Sequence, residues 1–385
     1  MSGGVDSSVA ALLLAKEDYD MSAVFMRNWD TRDESGTDKG CEWEKDWEDV
    51  QRVCRVLDVP VTMIDLSKEY WNRVFEPSLR QWEMGVTPNT DISCNREIKF
   101  GALLERLPAT SGQRPWFATG HYARKAWSHG RPQLVRPADK HKDQTYYLSS
   151  ISENGLRRAL FPLSQLPKTE VREIARKHGF HNAERPDSVG ICFVGEKGKF
   201  KNFLADYIPA NFGPIVNQLT GNVIGEHTGL WNYTIGEGSR LPGMPTRMSV
   251  SRKDVLTNTV YVVPGTKHEE LFTDILHVPD FTWIWRDAIP PELDSPSGFR
   301  AQMMHRYRMA ASPCTVTRSP DGGFVVRSDN PQHAVAPGQI AVLYNGDWCL
   351  GCGPISSTAR SSTPRMADSM IPHQLPASPH LNASS

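Results

Sequence analysis

The sequence predicts an α/β protein with three parts: a parallel-sheet domain over residues 1–205, a small β-rich central domain over 206–275, and a C-terminal β-barrel or sandwich over 276–356. Three observations carry this. A glycine pair at the start of the chain runs straight into an apolar helical stretch. Strand and helix patterns then alternate as far as about residue 205. From Pro209 onward Gly, Pro and Thr become frequent, and short β-like runs are separated by turn signals.

The first element is Met1-Ser2-Gly3-Gly4-Val5-Asp6-Ser7-Ser8, followed by Val9-Ala10-Ala11-Leu12-Leu13-Leu14-Ala15-Lys16. Adjacent glycines let the backbone turn tightly, so successive N–H groups can point at one anion, and the positive end of the following helix faces the same spot. Ser2, Ser7 and Ser8 add hydroxyl donors, and Asp6 is placed to hold a metal ion or to cap the helix. No Lys follows the glycines, which excludes a Walker-type loop. A plain Gly-rich turn with a Ser/Asp cap is the alternative.

Residues 21–26, 61–66 and 115–119 read as strands. Between 42 and 57, Trp43, Trp47, Val50, Cys54 and Leu57 recur at spacings of three and four, an amphipathic helix. Another helix is expected over 168–178, stopped by Gly179. In the C-terminal part, residues 259–263 read as a strand. Hairpins are expected from 314–317 with 324–327 and from 339–344 with 348–351. Residues 357–385, rich in Ser, Pro and Ala without periodicity, are expected to be a disordered tail.

Composition narrows the class. The 385-residue chain has 23% charged and 39% hydrophobic residues, as in ordinary globular proteins. A net charge of −1 means that any nucleic-acid contact must come from local basic patches. No apolar run approaches the roughly 20 residues of a membrane span. Seven cysteines spread over the chain make no disulfide framework and suit a reducing compartment. Cys349-Leu350-Gly351-Cys352 has a C-x-x-C spacing but lacks the second pair a zinc site needs, so no metal site is expected there.

Two cysteine strings stand out. Cys94 lies in Asn89-Thr90-Asp91-Ile92-Ser93-Cys94-Asn95-Arg96-Glu97-Ile98-Lys99, where nearby cations would lower a thiol pKa; an ordinary buried cysteine is the competing reading. Cys192 lies in Gly190-Ile191-Cys192-Phe193-Val194-Gly195, which alone reads as a core strand. Residues 300–308 interleave cations with Tyr307, a pattern that suits phosphate and base contacts or a solvated strand face. A lone His121 is more often structural.

The S-G-G-x-D-S-S string resembles the PP-loop of the N-type ATP pyrophosphatases, with an adenine nucleotide alpha hydrolase-like fold. Followed in order by Cys94 and Cys192, it resembles the tRNA-uridine 2-sulfurtransferases, the tRNA-specific 2-thiouridylases. Further strings extend the resemblance to about residue 354, among them Phe25-Met26-Arg27-Asn28-Trp29, Gly120-His121-Tyr122-Ala123-Arg124, Lys142-Asp143-Gln144-Thr145-Tyr146-Tyr147-Leu148, Tyr233-Thr234-Ile235-Gly236 and Pro337-Gly338-Gln339.

The resemblance implies adenylation of the uracil 2-oxygen by ATP with Mg²⁺, then sulfur transfer from a persulfide on Cys192. Cys94 would be its nucleophilic partner, with a transient disulfide between the two, and Asp91 the acid/base. It places ATP contacts on Ser2, Gly3, Gly4, Val5, Asp6, Ser7, Met26 and Gly120. Asn89, Thr90 and Asp91 would approach the target base; His121, Lys142, Asp143, Gln144, Arg306, Tyr307 and Gln339 would touch tRNA. The implied partners are tRNA and a sulfur-relay or desulfurase donor protein. The Trp-rich stretch 28–54 is similar to mitochondrial members, with the cytoplasm as the alternative location.

Some features depart from the family. Thr90 stands where members usually carry proline, and residues 236–243 keep only a loose echo of the pattern. The strand that should enter the loop is missing ahead of Met1, which reads as an internal methionine taken as a start. A catalytically impaired tRNA-binding member, folding poorly or holding ATP weakly, is therefore the alternative. An amidating ligase of the PP-loop class is a further rival that would not need the two cysteines.

Overall fold

The computed structural model describes residues 1–29, 42–107, 115–187 and 197–361. Cys41 and Cys192 lie outside them.

The first helix, Val5–Ala15, begins four residues earlier than the apolar run that predicts it, because Gly4 in extended conformation already accepts from Ser8 N–H and serves as its N-cap. Two parallel strand pairs follow, β1 (Ala23–Arg27) with β2 (Val61–Asp65) and β3 (Phe117–Ala118) with β6 (Ala159–Leu160). The expected parallel sheet is thus two separate pairs among the described residues. The N-terminal loop touches both: the Met1 amine donates to the Val24 carbonyl on β1, and Gly120, just beyond β3, abuts Ser7. The Glu42–Leu57 helix spans the range its spacing predicts, and turns Val50, Val53 and Cys54 inward. Trp47 packs on Phe25 of β1, ring centroids 5.4 Å apart.

Strands β4 (Arg124–Ser128) and β5 (Arg131–Val135) form a hairpin inside the first 205 residues. Its partner is not the parallel part. β5 pairs with β17 (Trp348–Pro354), so the hairpin completes one edge of the C-terminal sheet. That ten-stranded sheet also contains β11 (Phe272–Val278), β12 (Thr282–Trp283), β13 (Phe299–Met304), β14 (Ser312–Arg318), β15 (Phe324–His333) and β16 (Ile340–Asn345). The expected hairpins β14–β15 and β16–β17 are both present. The opposite edge is β18 (Ser357–Ala359), antiparallel to β11. The first residues expected in a disordered tail are therefore a strand: edge pairing uses backbone groups and tolerates Ser and Thr there. Residues 362–385 lie outside the described set. A four-stranded sheet, β7 (Gly213–Asn217), β8 (Val223–His227), β9 (Met248–Asp254) and β10 (Thr259–Pro264), makes the central module in the order β8-β7-β10-β9.

The segment 143–147 locks the α/β part to the C-terminal sheet. The buried Tyr146 hydroxyl donates to the carbonyls of His305 and Ile340, both at 3.1 Å, and Thr145 Oγ1 lies 3.2 Å from the Tyr344 hydroxyl. Thr87 N–H donates to Pro337 O at 3.0 Å. Gly338, at φ +88°, presses so closely on Val86 that a Cβ there would lie 2.2 Å from Cγ1.

Candidate active site

No side chain caps the Val5–Ala15 helix. The Ser7 and Ser8 hydroxyls instead donate back to Gly4 O, at 3.0 and 3.1 Å, which leaves the first-turn N–H groups as an anion site. Gly3 adopts φ +73°, and a Cβ would meet Asp46 O at 2.9 Å. A Cβ on Gly120 would lie 2.7 Å from Ser7 N and 2.8 Å from Asp6 C. Only hydrogen fits at either place, so the loop is a cradle closed by backbone. Asn182 fixes it from behind, donating to Gly3 O (2.8 Å) and Ser8 Oγ (2.9 Å). Met26 sits further along β1, two residues beyond Val24.

Asp6 does not cap the helix as expected. Its carboxylate is taken by Lys168 Nζ (2.6 and 2.7 Å) and the Tyr122 hydroxyl (2.9 Å). Lys168 also reaches Asp187 at 2.9 Å, which in turn holds Lys142 at 2.6 Å and Arg172 at 3.2 Å. Desolvation would raise the Asp187 carboxyl, but the hydrogen bonds from Lys142 and Lys168 outweigh it and hold the pKa at about 2. Its contribution to stability is present above the ordinary pKa of 3.8 and is lost as pH falls toward about 2. Replacing Lys168, buried between two carboxylates that are each about one-third exposed, by methionine should cost about 1–3 kcal/mol. Thermal melting checks this, and the acid limb of the melting profile between pH 4 and 2 should flatten in the variant.

The second half of the site is the short helix Thr90–Cys94. Asn89 is its N-cap, with Oδ1 accepting from Ile92 N–H at 3.1 Å. The Asn89 amide oxygen is thereby engaged by the helix, and Thr90 is buried. The Asp91 side chain reaches solvent, yet enough protein surrounds it that desolvation raises its carboxyl pKa, with Lys99 opposing. Cys94 packs with Trp29, Leu66, Tyr70 and Ile98. Burial pushes its thiol up to about 11; Lys99 works against this and Asp91 adds to it. This reverses the expected lowering, because neighbours along the chain count for less than the apolar cluster around the sulfur. In the free protein only about one thiol in a thousand would be ionised at pH 8. Peptide-mapped alkylation should therefore find Cys94 slow at pH 8, with a rate that climbs until pH approaches 11.

The remaining expected residues fall into two groups. His121 is half-buried and neutral: desolvation drives its pKa well below the ordinary value, and Nδ1 lies 2.7 Å from Thr119 Oγ1. Gln144 accepts from Tyr122 N–H at 2.9 Å, and Asp143 is buried, accepting from the Thr145 N–H and hydroxyl. Asp143 thus shapes the 143–147 turn. From the C-terminal sheet, one Arg306 guanidinium nitrogen donates to the carbonyls of His333 and Ala334, Tyr307 stacks on Tyr147, and Gln339 keeps its side-chain oxygen buried beside His305. Lys99 and Lys168 are the charges sequence reasoning did not assign. Lys99 stands in the Cys94 string itself; Lys168 opens a helix and gave no local sign of facing the loop. Among the described residues no group of three or more His, Cys, Asp or Glu could hold a metal.

These features define an α/β domain with a backbone-closed phosphate cradle and a buried cysteine, carried with two β modules. Family models match in the same order: a tRNA methyl transferase HUP domain over residues 1–196, a tRNA methyl transferase PRC-barrel domain over 201–264 and an aminomethyltransferase beta-barrel domain over 273–355. A tRNA-specific 2-thiouridylase of Chromohalobacter salexigens is 42% identical over 371 residues, 95% of this chain and 93% of its own length. One from Geobacillus kaustophilus is 43% identical over 363 residues, 94% of each. The mitochondrial tRNA-specific 2-thiouridylase 1 of Gallus gallus is 40% identical over 387 residues, 92% of this chain and 90% of its own. The chain belongs to the tRNA-specific 2-thiouridylase family.

Proposed function

We propose that this chain is an ATP-dependent tRNA-uridine 2-sulfurtransferase acting on the wobble uridine. The observation that carries the reading is the cradle at the uncapped helix, closed by Gly3 and Gly120, in a chain whose named relatives match it over nine-tenths of its length. The relatives give no support to a catalytically impaired member.

The uracil 2-oxygen is a poor leaving group and must first be activated. It attacks the α-phosphorus of ATP, pyrophosphate departs, and C2 becomes an adenylate. The first-turn N–H groups and the Ser2 and Ser7 hydroxyls would hold the phosphates, with Met26 and Gly120 flanking the nucleotide. Asp6 is held on both oxygens by Lys168, and Mg²⁺ brought with ATP would offset the charge on the departing pyrophosphate. Desolvation makes the Asp91 carboxylate more basic than an ordinary one, which suits it to accept the uracil N3 proton. The terminal persulfide sulfur on Cys192 then attacks C2 and AMP leaves. The Cys94 thiolate attacks the Cys192 sulfur; the S–S bond to the base breaks, its electron pair staying with the new 2-thio group. A Cys94–Cys192 disulfide remains for an external dithiol to reduce.

Lys142, Gln144, His121, Arg306, Tyr307 and Gln339 are the proposed tRNA contacts. Asn89, Thr90 and Asp143 would support that surface from behind. The sulfur would come as a persulfide from a desulfurase or relay protein. A mitochondrial site of action follows the name of the chicken relative. Among the described residues no helix is long and apolar enough to cross a membrane. The test is incubation with tRNA, ATP, Mg²⁺ and a persulfide donor. Retarded migration of the tRNA in a mercury-containing gel, dependent on ATP, is expected; unretarded tRNA under all conditions would refute the reading.

A further inference from the structure

A line of contacts runs from the surface of the C-terminal sheet to the cysteine helix. Arg308 is exposed and held at φ +65°, with its guanidinium 5.3 Å from the centroid of the Tyr307 ring. Tyr307 stacks on Tyr147 with centroids 4.4 Å apart and planes inclined by 39°. The Tyr147 carbonyl accepts from Asn95 Nδ2 at 3.2 Å, and the same amide donates to Asp91 O at 3.0 Å. Tyr147 is thereby anchored one hydrogen-bonding group away from Asp91. Both rings are half-buried, and among the described residues neither phenol hydroxyl has a hydrogen-bond partner.

Simple packing between modules accounts poorly for this. Tyr146, the neighbour that does join the modules, is fully enclosed and uses its hydroxyl twice. Tyr147 and Tyr307 keep part of their ring surface open, and a cation lies over the outer ring. Half-open aromatics beside a cation are what an unstacked nucleobase and its phosphate require. The proposed reaction needs such a surface, because a base whose C2 is to be attacked must leave its stack and lose its neighbours.

We propose that Tyr147 is a base-stacking residue, forming with Tyr307 and Arg308 a ladder on which an unpaired base of the tRNA anticodon loop stacks beside the Asp91–Cys94 site. The proposal rests on the sulfurtransferase reading and adds a contact that the resemblance does not assign. The experiment titrates a hairpin RNA of anticodon-loop sequence, carrying 2-aminopurine next to the target uridine, into the wild-type protein, Tyr147→Phe and Tyr147→Leu. Leucine keeps apolar volume and loses the ring. Wild type and Tyr147→Phe should bind alike and quench the fluorophore. Tyr147→Leu should bind about tenfold or more weakly, quench less, and keep its ATP affinity. Equal binding and quenching by Tyr147→Leu would overturn the ladder alone. Failure of the wild-type protein to bind the hairpin would overturn both the ladder and the reading beneath it.

Discussion

Cys94→Ser should abolish tRNA thiolation, lowering single-turnover formation of 2-thiouridine by roughly a thousandfold or more. Serine keeps the shape, but its hydroxyl cannot displace a sulfur. The residue is 9% exposed within an aromatic and aliphatic cluster, so the hydroxyl should also cost about 1–3 kcal/mol of stability. These losses separate cleanly. ATP binding should persist, because nothing in the phosphate cradle touches the sulfur, and the tRNA should still bind. A buried structural cysteine would give the opposite pattern: reduced melting temperature with most of the activity retained. Product quantified by mass spectrometry of digested tRNA, beside a melting curve, decides between them.

Gly120→Ala should weaken ATP binding and slow adenylation by about a hundredfold, the effect of an approximately 1 Å displacement on the rate at a reacting group. Its backbone tolerates alanine; the obstacle is space, since the new methyl would meet Ser7 N and Asp6 C, both backbone atoms that cannot swing aside. Overpacking of this kind should also cost about 1–3 kcal/mol. Gly4→Ala is the informative contrast. A Cβ there meets only Ser2 Oγ at 3.7 Å, so the free protein should be little changed. Any loss of nucleotide affinity in Gly4→Ala would then report the bound phosphates rather than the fold. Isothermal titration with ATP on both variants provides the comparison.

How much of this was legible follows from the range of each interaction. The Glu42–Leu57 helix and the two C-terminal hairpins rest on local patterns, and local patterns are enough for them. The β4–β5 hairpin carries no strand reading in the sequence, and its pairing of Val135 with Trp348 spans more than half the chain. Nothing in residues 124–135 states that partner. Asp6 and Lys168 meet across 162 positions, so a carboxylate that looks free for a cap or a metal is already committed. Cys94 shows the same limit in electrostatics. Lys99 is visible beside it in sequence, whereas the burial that raises the thiol comes from a cluster that draws Trp29, Leu66 and Tyr70 from elsewhere in the chain. Nothing in the sequence around Tyr147 marks it for a role; its stacking on Tyr307 and its tie to Asn95 give it one.

In the proposed mechanism the uracil 2-oxygen is adenylated before sulfur arrives, so that oxygen must leave in AMP. With tRNA whose target uridine carries ¹⁸O at position 2, and with ATP and a persulfide donor present, one ¹⁸O should appear in AMP for each 2-thiouridine formed. Thiolated tRNA accompanied by unlabelled AMP, or thiolation without AMP, would contradict the account.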